Sequence, residues 1–191
     1  NQFDTFYHEH PRTYSQRSFE FIANTLDLSL NDVQFVSRYG GNIRAFIGKG
    51  ESISSSKDVE NAFIGQFKIM AENIREWQQE TKAWIEEYVA SNGKIRAKAF
   101  PGRAAIMIKM LGLDENLISA VYEIAGSIKV HNYVPGTRIP ILPEAKLYSL
   151  ENQEEPILNL AWHLPKEVRK NLEKNGYLGK VFDIKEFHAE G

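Results

Sequence analysis

Tyr7, His8, Glu9 and His10 follow one another directly. A phenol, two imidazoles and a carboxylate in succession can donate, accept and relay protons. Imidazole, with an ordinary pKa of about 6.5, is neutral near pH 7 and suits a general base. The run lies between the apolar Phe3 and Phe6 and the breaker Pro11, and chemistry in this chain is expected here first. In an extended segment Tyr7 and Glu9 point one way and His8 and His10 the other. Gathering Glu9 and His10 around one substrate therefore requires a local bend, which Pro11 favours. Two other readings fit the same residues. One is a polar surface loop. The other is a divalent ion held by His8 and His10 at i, i+2 together with a distant His131.

Two further groups fall where strands end in the second half. Phe100-Pro101-Gly102-Arg103 reads as a strand turning into a helix. Backbone N–H groups there attract anions, Gly102 lets a phosphate approach, and Arg103 supplies a charged fork. The alternative is a plain turn with a surface Arg. Trp162-His163 follows another strand and offers a ring for stacking and an imidazole, or else a core Trp with a capping His. No Gly-x-Gly-x-x-Gly and no Walker loop is present. Gly48-Lys49-Gly50 lacks a helix at the distance such a motif needs.

The elements that must position these groups follow from periodicity. Residues 1–15 read as strand end or loop. A helix capped by Ser15 or Ser18 carries Phe19, Ile22, Ala23 and Leu26 at helical spacing and ends near Asp27. Val33–Val36 and Ile43–Ile47 form a hairpin around Arg38–Asn42, where paired glycines permit positive φ. Gly48–Ser56 is a flexible connector. Val59, Phe63, Phe67, Met70, Ile74, Trp77, Trp84 and Tyr88 then recur every three or four residues, with Thr81 in the gap. One helix of about nine turns, roughly 50 Å, fits this, and Gly93 closes it. Such a helix either packs along its own chain or offers a coiled-coil dimer seam.

From Lys94 onward strand and helix alternate. The predicted strands are Lys94–Phe100, Leu117–Glu123, Ile139–Leu142 after a Pro135-Gly136-Thr137 turn, Pro156–Ala161 and Lys180–Ile184. The predicted helices are Ala104–Leu111 and Pro165–Lys174. This is α/β grammar: a Rossmann-like, mostly parallel sheet with helices on both faces, preceded by a helix, a β-hairpin and a long linking helix. The divisions expected are 1–56, 57–92 and 93–191.

Composition narrows the function class. The 191 residues carry a net charge of −2 with acids and bases interspersed, so no basic stripe marks a nucleic-acid partner. No cysteine is present, which removes thiol catalysis, disulfides and Cys-based zinc, and is compatible with a reducing cytoplasm. A cytoplasmic location is expected. No apolar run reaches the length of a membrane span. The chain opens on Asn1 at the edge of a motif-rich stretch, and a longer parent is expected.

Taken in order, four segments resemble the sugar-nucleotide C-methyltransferases, S-adenosylmethionine-dependent enzymes that branch deoxysugars. They are Phe3–His10 with Tyr14-Ser15; Gly40-Gly41-Asn42-Ile43-Arg44; Gly102-Arg103 after a strand; and Tyr133-Val134-Pro135-Gly136-Thr137-Arg138-Ile139-Pro140-Ile141. The resemblance implies a cofactor-binding Rossmann domain, of which residues 1–56 would be the catalytic tail, and a Rossmann-like C-terminal domain at 93–191. It implies His10 as base, with Glu9 and Tyr7 beside it. The substrate contacts carried over or read from strand ends are Tyr14, Ser15, Arg44, Gly102, Arg103, Trp162 and His163. The chain departs from the family at Tyr39, where His is frequent, at the shortened Phe100–Arg103 turn, at His163, where Asn is common, and at Glu123, where Asp is usual.

The chemistry so implied is methylation of a carbon next to a ketone. The base removes the acidic hydrogen, an enolate forms, and that carbon takes the methyl group. The expected partner is a nucleotide-diphosphate sugar. S-adenosylmethionine serves the full-length family, with no cofactor expected on this piece alone and no activity without it. The alternatives are a nucleotide-sugar-binding module without catalysis and an interaction module held by the long helix.

Overall fold

A computed structural model describes residues 3–7, 9–37, 41–54 and 61–185. His8, the Arg38–Gly40 part of the hairpin turn and Val59 lie outside the described residues. The chain divides into two compact units, 1–72 and 73–191.

Unit 1 opens with a 3-10 turn, Phe3–Thr5, in which Phe3 and Asp4 are buried. A strand end or plain loop was the expectation for this stretch, and the tight turn departs from it. Helix α1, Gln16–Thr25, starts where Ser15 accepts from the backbone N–H of Ser18 and the Ser18 hydroxyl accepts from that of Ser15. This reciprocal cap satisfies two donors that a helix start otherwise leaves open. Strands β1, Ser29–Val36, and β2, Asn42–Gly48, pair antiparallel. The first begins four residues before the predicted Val33. A bulge between Leu30 and Asp32 breaks its alternation, so the polar Asn31-Asp32 pair hides the strand in the sequence.

The long helix α2, Phe63–Asn92, runs 30 residues and ends at Gly93, whose φ of 84° suits a glycine. Within unit 2 its Trp77, Thr81 and Ile85 are buried. The Trp77 indole N–H donates to the carbonyl of Ile184 at 2.8 Å.

Unit 2 is built on five parallel strands in the order β5-β4-β3-β6-β7. They are β3 Ile95–Lys98, β4 Ile118–Glu123, β5 Ile141–Pro143, β6 Ile157–Asn159 and β7 Val181–Asp183. Helices α3, Ala104–Leu111, and α5, Pro165–Lys174, link β3 to β4 and β6 to β7. Those two steps leave the sheet centre in opposite directions, so right-handed crossovers put α3 and α5 on opposite faces. A five-residue helix, α4 Glu144–Tyr148, precedes β6 and was not predicted. Its Leu147 packs with Ala120, Tyr122, Ile157, Val168 and Leu172 in one core cluster.

The Tyr133–Ile141 segment folds as a tight loop. Val134 N–H donates to the Ile139 carbonyl at 3.0 Å, and Thr137 N–H returns to that of Val134. Gly136, at φ 77°, makes the reversal. The loop delivers Ile141 to the sheet edge beside Val121.

Candidate active site

In unit 1, the Tyr7–His10 stretch bends: the His10 N–H donates to the Tyr7 carbonyl at 2.8 Å. The bend gathers three of the four groups singled out in the sequence. Tyr7 Oη donates to Glu9 Oε2 at 2.9 Å. The Tyr7 and His10 rings lie 4.8 Å apart, tilted by 55°. His10 Nδ1 sits 3.0 Å from the carbonyl oxygen of Thr5. A carbonyl only accepts, so in the neutral imidazole this contact puts the ring hydrogen on Nδ1 and leaves Nε2 as the lone-pair nitrogen. His10 and Glu9 are exposed and Tyr7 is half-buried. The ring is therefore both oriented and open to solvent. Of the proposed metal triad, His8 is not among the described residues. Among those that are, no group of three or more His, Asp or Glu is placed to hold a metal ion.

Downstream of His10, the loop and first turns of α1 enclose an open hollow of about 800 Å³. Tyr14 and Ser15 line it, as do Arg12, Arg17, Ser18 and Phe21. The sequence reading named Tyr14 and Ser15 and missed the two arginines and Phe21. Their signal was present: two arginines flank a helix-capping Ser, with an aromatic residue one turn on. Arg44 is exposed on β2, opposite Gln34.

In unit 2, β3 and β6 are neighbours whose connections leave in opposite directions. The crevice beyond their carboxyl ends is where such sheets bind ligands. The Phe100–Arg103 turn and Trp162-His163 do meet there. The Arg103 guanidinium lies 4.9 Å above the Trp162 ring, and Lys185 Nζ lies 3.9 Å from its centroid. The His163 ring stands edge-on to Trp162 at 5.9 Å. Trp162 is only 7% exposed. Its ring is thus held among these cations, as a packed Trp would be.

The turn itself is anchored by residues the sequence reading left out of the site. β3 stops at Lys98 because Ala99 adopts φ 61°, a left-handed conformation that an alanine adopts at a cost. Glu123, buried at the end of β4, accepts the Phe100 N–H at 2.5 Å, and Lys129 donates to the Phe100 carbonyl at 2.5 Å. Beneath it, Lys98 is 2% exposed and donates to Glu144 at 2.6 Å. Tyr148 Oη lies 3.5 Å from the same carboxylate and donates to Asn171 at 2.8 Å. Burial, reinforced by Glu144, pushes the Tyr148 phenol up to about 12.

Among the described residues, the turn after β3 carries one glycine, Gly102, and the non-helical residues 51–54 follow Gly48 and Gly50. No helix among the described residues is long and apolar enough to cross a membrane.

The family described as the C-methyltransferase C-terminal domain matches residues 37–182, and the chain belongs to it. The match runs from the hairpin turn into β7 and begins after the Tyr7–His10 run. Membership points to S-adenosylmethionine as methyl donor of the full-length protein. Comparison with curated proteins returned no match.

Proposed function

We propose that this chain is part of a C-methyltransferase acting on a keto-deoxysugar nucleotide, and that His10 is the base that enolises the sugar. The observation that carries this reading is the Thr5–His10 contact. With the hydrogen held on Nδ1, Nε2 is free to take the proton from the carbon next to the ketone. The electrons of that C–H bond pass into the enolate, whose oxygen becomes negative. Tyr7 is the donor proposed for that oxygen. Its hydroxyl rests on Glu9, so turning to the substrate exchanges one acceptor for another. The methyl donor is proposed to bind in the full-length protein outside the residues described, and no step by these residues runs through it.

The further substrate contacts proposed within unit 1 are Tyr14, Ser15 and Arg44; Gly102, Arg103, Trp162 and His163 are proposed for unit 2 taken by itself. Those of unit 1 have the better support, because Tyr14 and Ser15 border an open hollow whereas the Trp162 ring is covered. In the intact enzyme, His10→Ala is expected to lower turnover by ~10²–10⁴-fold, the usual worth of a positioned base, while affinity for the sugar nucleotide persists. Parental turnover in that variant would remove His10 from the mechanism.

A further inference from the structure

Among the described residues, the hollow beside α1 is lined by two guanidinium side chains, those of Arg12 and Arg17, together with hydroxyl and apolar groups. We infer that Arg12 and Arg17 bind the diphosphate of the sugar nucleotide, and that Phe21 and Tyr14 form the apolar wall against which its organic part rests. The inference rests on the proposed function and adds to it where the charged end of the substrate is held.

Three observations support this site over the sheet edge of unit 2. The first is charge. A diphosphate needs forked, permanently charged donors, and Arg presents them in a geometry that matches phosphate oxygens. Arg12 and Arg17 bring both charges to one concave surface. The second is the wall. Phe21 is 70% exposed, and Tyr14, whose ring also packs against Phe19 at 5.5 Å, is 43% exposed, so aromatic surface stands beside the cations, an arrangement that takes a ligand both anionic and flat. The helix start is not what is offered: Ser15 and Ser18 already occupy one another's backbone N–H groups. The third is distance along the chain. Arg12 follows His10 by two residues, and two residues span at most about 7 Å. A phosphate gripped by Arg12 therefore leaves the attached sugar able to reach the imidazole.

The test is calorimetric titration of the chain with inorganic pyrophosphate, thymidine diphosphate, uridine diphosphate and thymidine. Arg12→Ala and Arg17→Ala are each expected to weaken pyrophosphate and nucleoside diphosphates by about 10-fold, and the double variant by about 100-fold, as loss of charge-assisted hydrogen bonds requires. Phe21→Ala should weaken the nucleoside diphosphates and leave pyrophosphate unaffected. Lys109→Ala, an exposed charge on α3, controls for net charge, and an unchanged urea midpoint controls for folding. Parental affinity in the double variant, or loss of pyrophosphate binding in Arg103→Ala alone, would overturn the inference. Neither result touches His10, whose test is turnover. The diphosphate site and the base therefore fail separately.

Discussion

The imidazole of His10 is tied back to the chain through its Nδ1, 3.0 Å from the carbonyl oxygen of Thr5. That bond fixes which nitrogen is basic, and it depends on the 3-10 turn Phe3–Thr5. Phe3 and Asp4 of this turn are buried, so the orientation of the proposed base is secured by packing six and seven residues upstream.

Tyr7 and Glu9 should behave as a unit. Tyr7→Phe removes the donor proposed for the enolate oxygen and is expected to lower kcat by ~10²-fold, in the range known for single oxyanion donors. Glu9→Gln keeps an acceptor for the Tyr7 hydroxyl and should cost less. Because the two side chains share one hydrogen bond, the double variant should lose less than the product of the single losses. Steady-state kinetics on the four proteins measures the coupling, and independent effects would contradict it.

Lys98 and Glu144 predict an asymmetric response in stability. Lys98 is 2% exposed and Glu144 19%. Glu144→Leu leaves a charged amine with no water, whereas Lys98→Met leaves a carboxylate that still reaches solvent. Breaking a buried pair costs about 3–5 kcal/mol. The Glu144 variant should fall in that range and the Lys98 variant below it. Replacing both together should recover most of the loss, since neither charge is then stranded. Urea unfolding of the three variants measures the order.

Tyr148 sets an alkaline limit. Its phenol, normally near 10.0, is pushed up to about 12 by burial and by Glu144. The folded state thus holds the proton more tightly than the unfolded chain. The stability this contributes is whole below pH 10 and is lost as pH rises from there to about 12. Tyr88, Tyr122 and Tyr177 are raised as well, each first by burial, and steepen the fall. Tyr148→Phe should flatten the dependence of unfolding midpoint on pH in this window. An unchanged slope would exclude Tyr148 as a contributor.

The parallel sheet was legible because β4 and β6 read as apolar runs between turn residues, and α2 because its aromatic residues keep helical spacing for most of its length. Helix α4 was not, since five residues after Pro143 cannot display a period. β1 was read short because Asp27, at φ 55°, ends α1 only two residues before the strand and a bulge follows at once. In the candidate site, residue types singled out Tyr7, Glu9 and His10, but no local pattern reveals that Thr5 orients the ring. The meeting of Arg103 with Trp162, 59 positions apart in the numbering, follows only once β3 and β6 are known to be neighbours. The arginines of the hollow were passed over because a surface arginine near a helix start is ordinary until the concave surface around it is seen.

The proton-abstraction step can be measured without methyl transfer. Deuterium exchange from solvent into the carbon next to the ketone, followed by NMR on the intact enzyme with a keto-deoxysugar nucleotide, reads it directly. The parent is expected to exchange that hydrogen, and His10→Ala to exchange it at least ~10²-fold more slowly while binding the nucleotide sugar with parental affinity. Exchange in His10→Ala at the parental rate would contradict the assignment of the base.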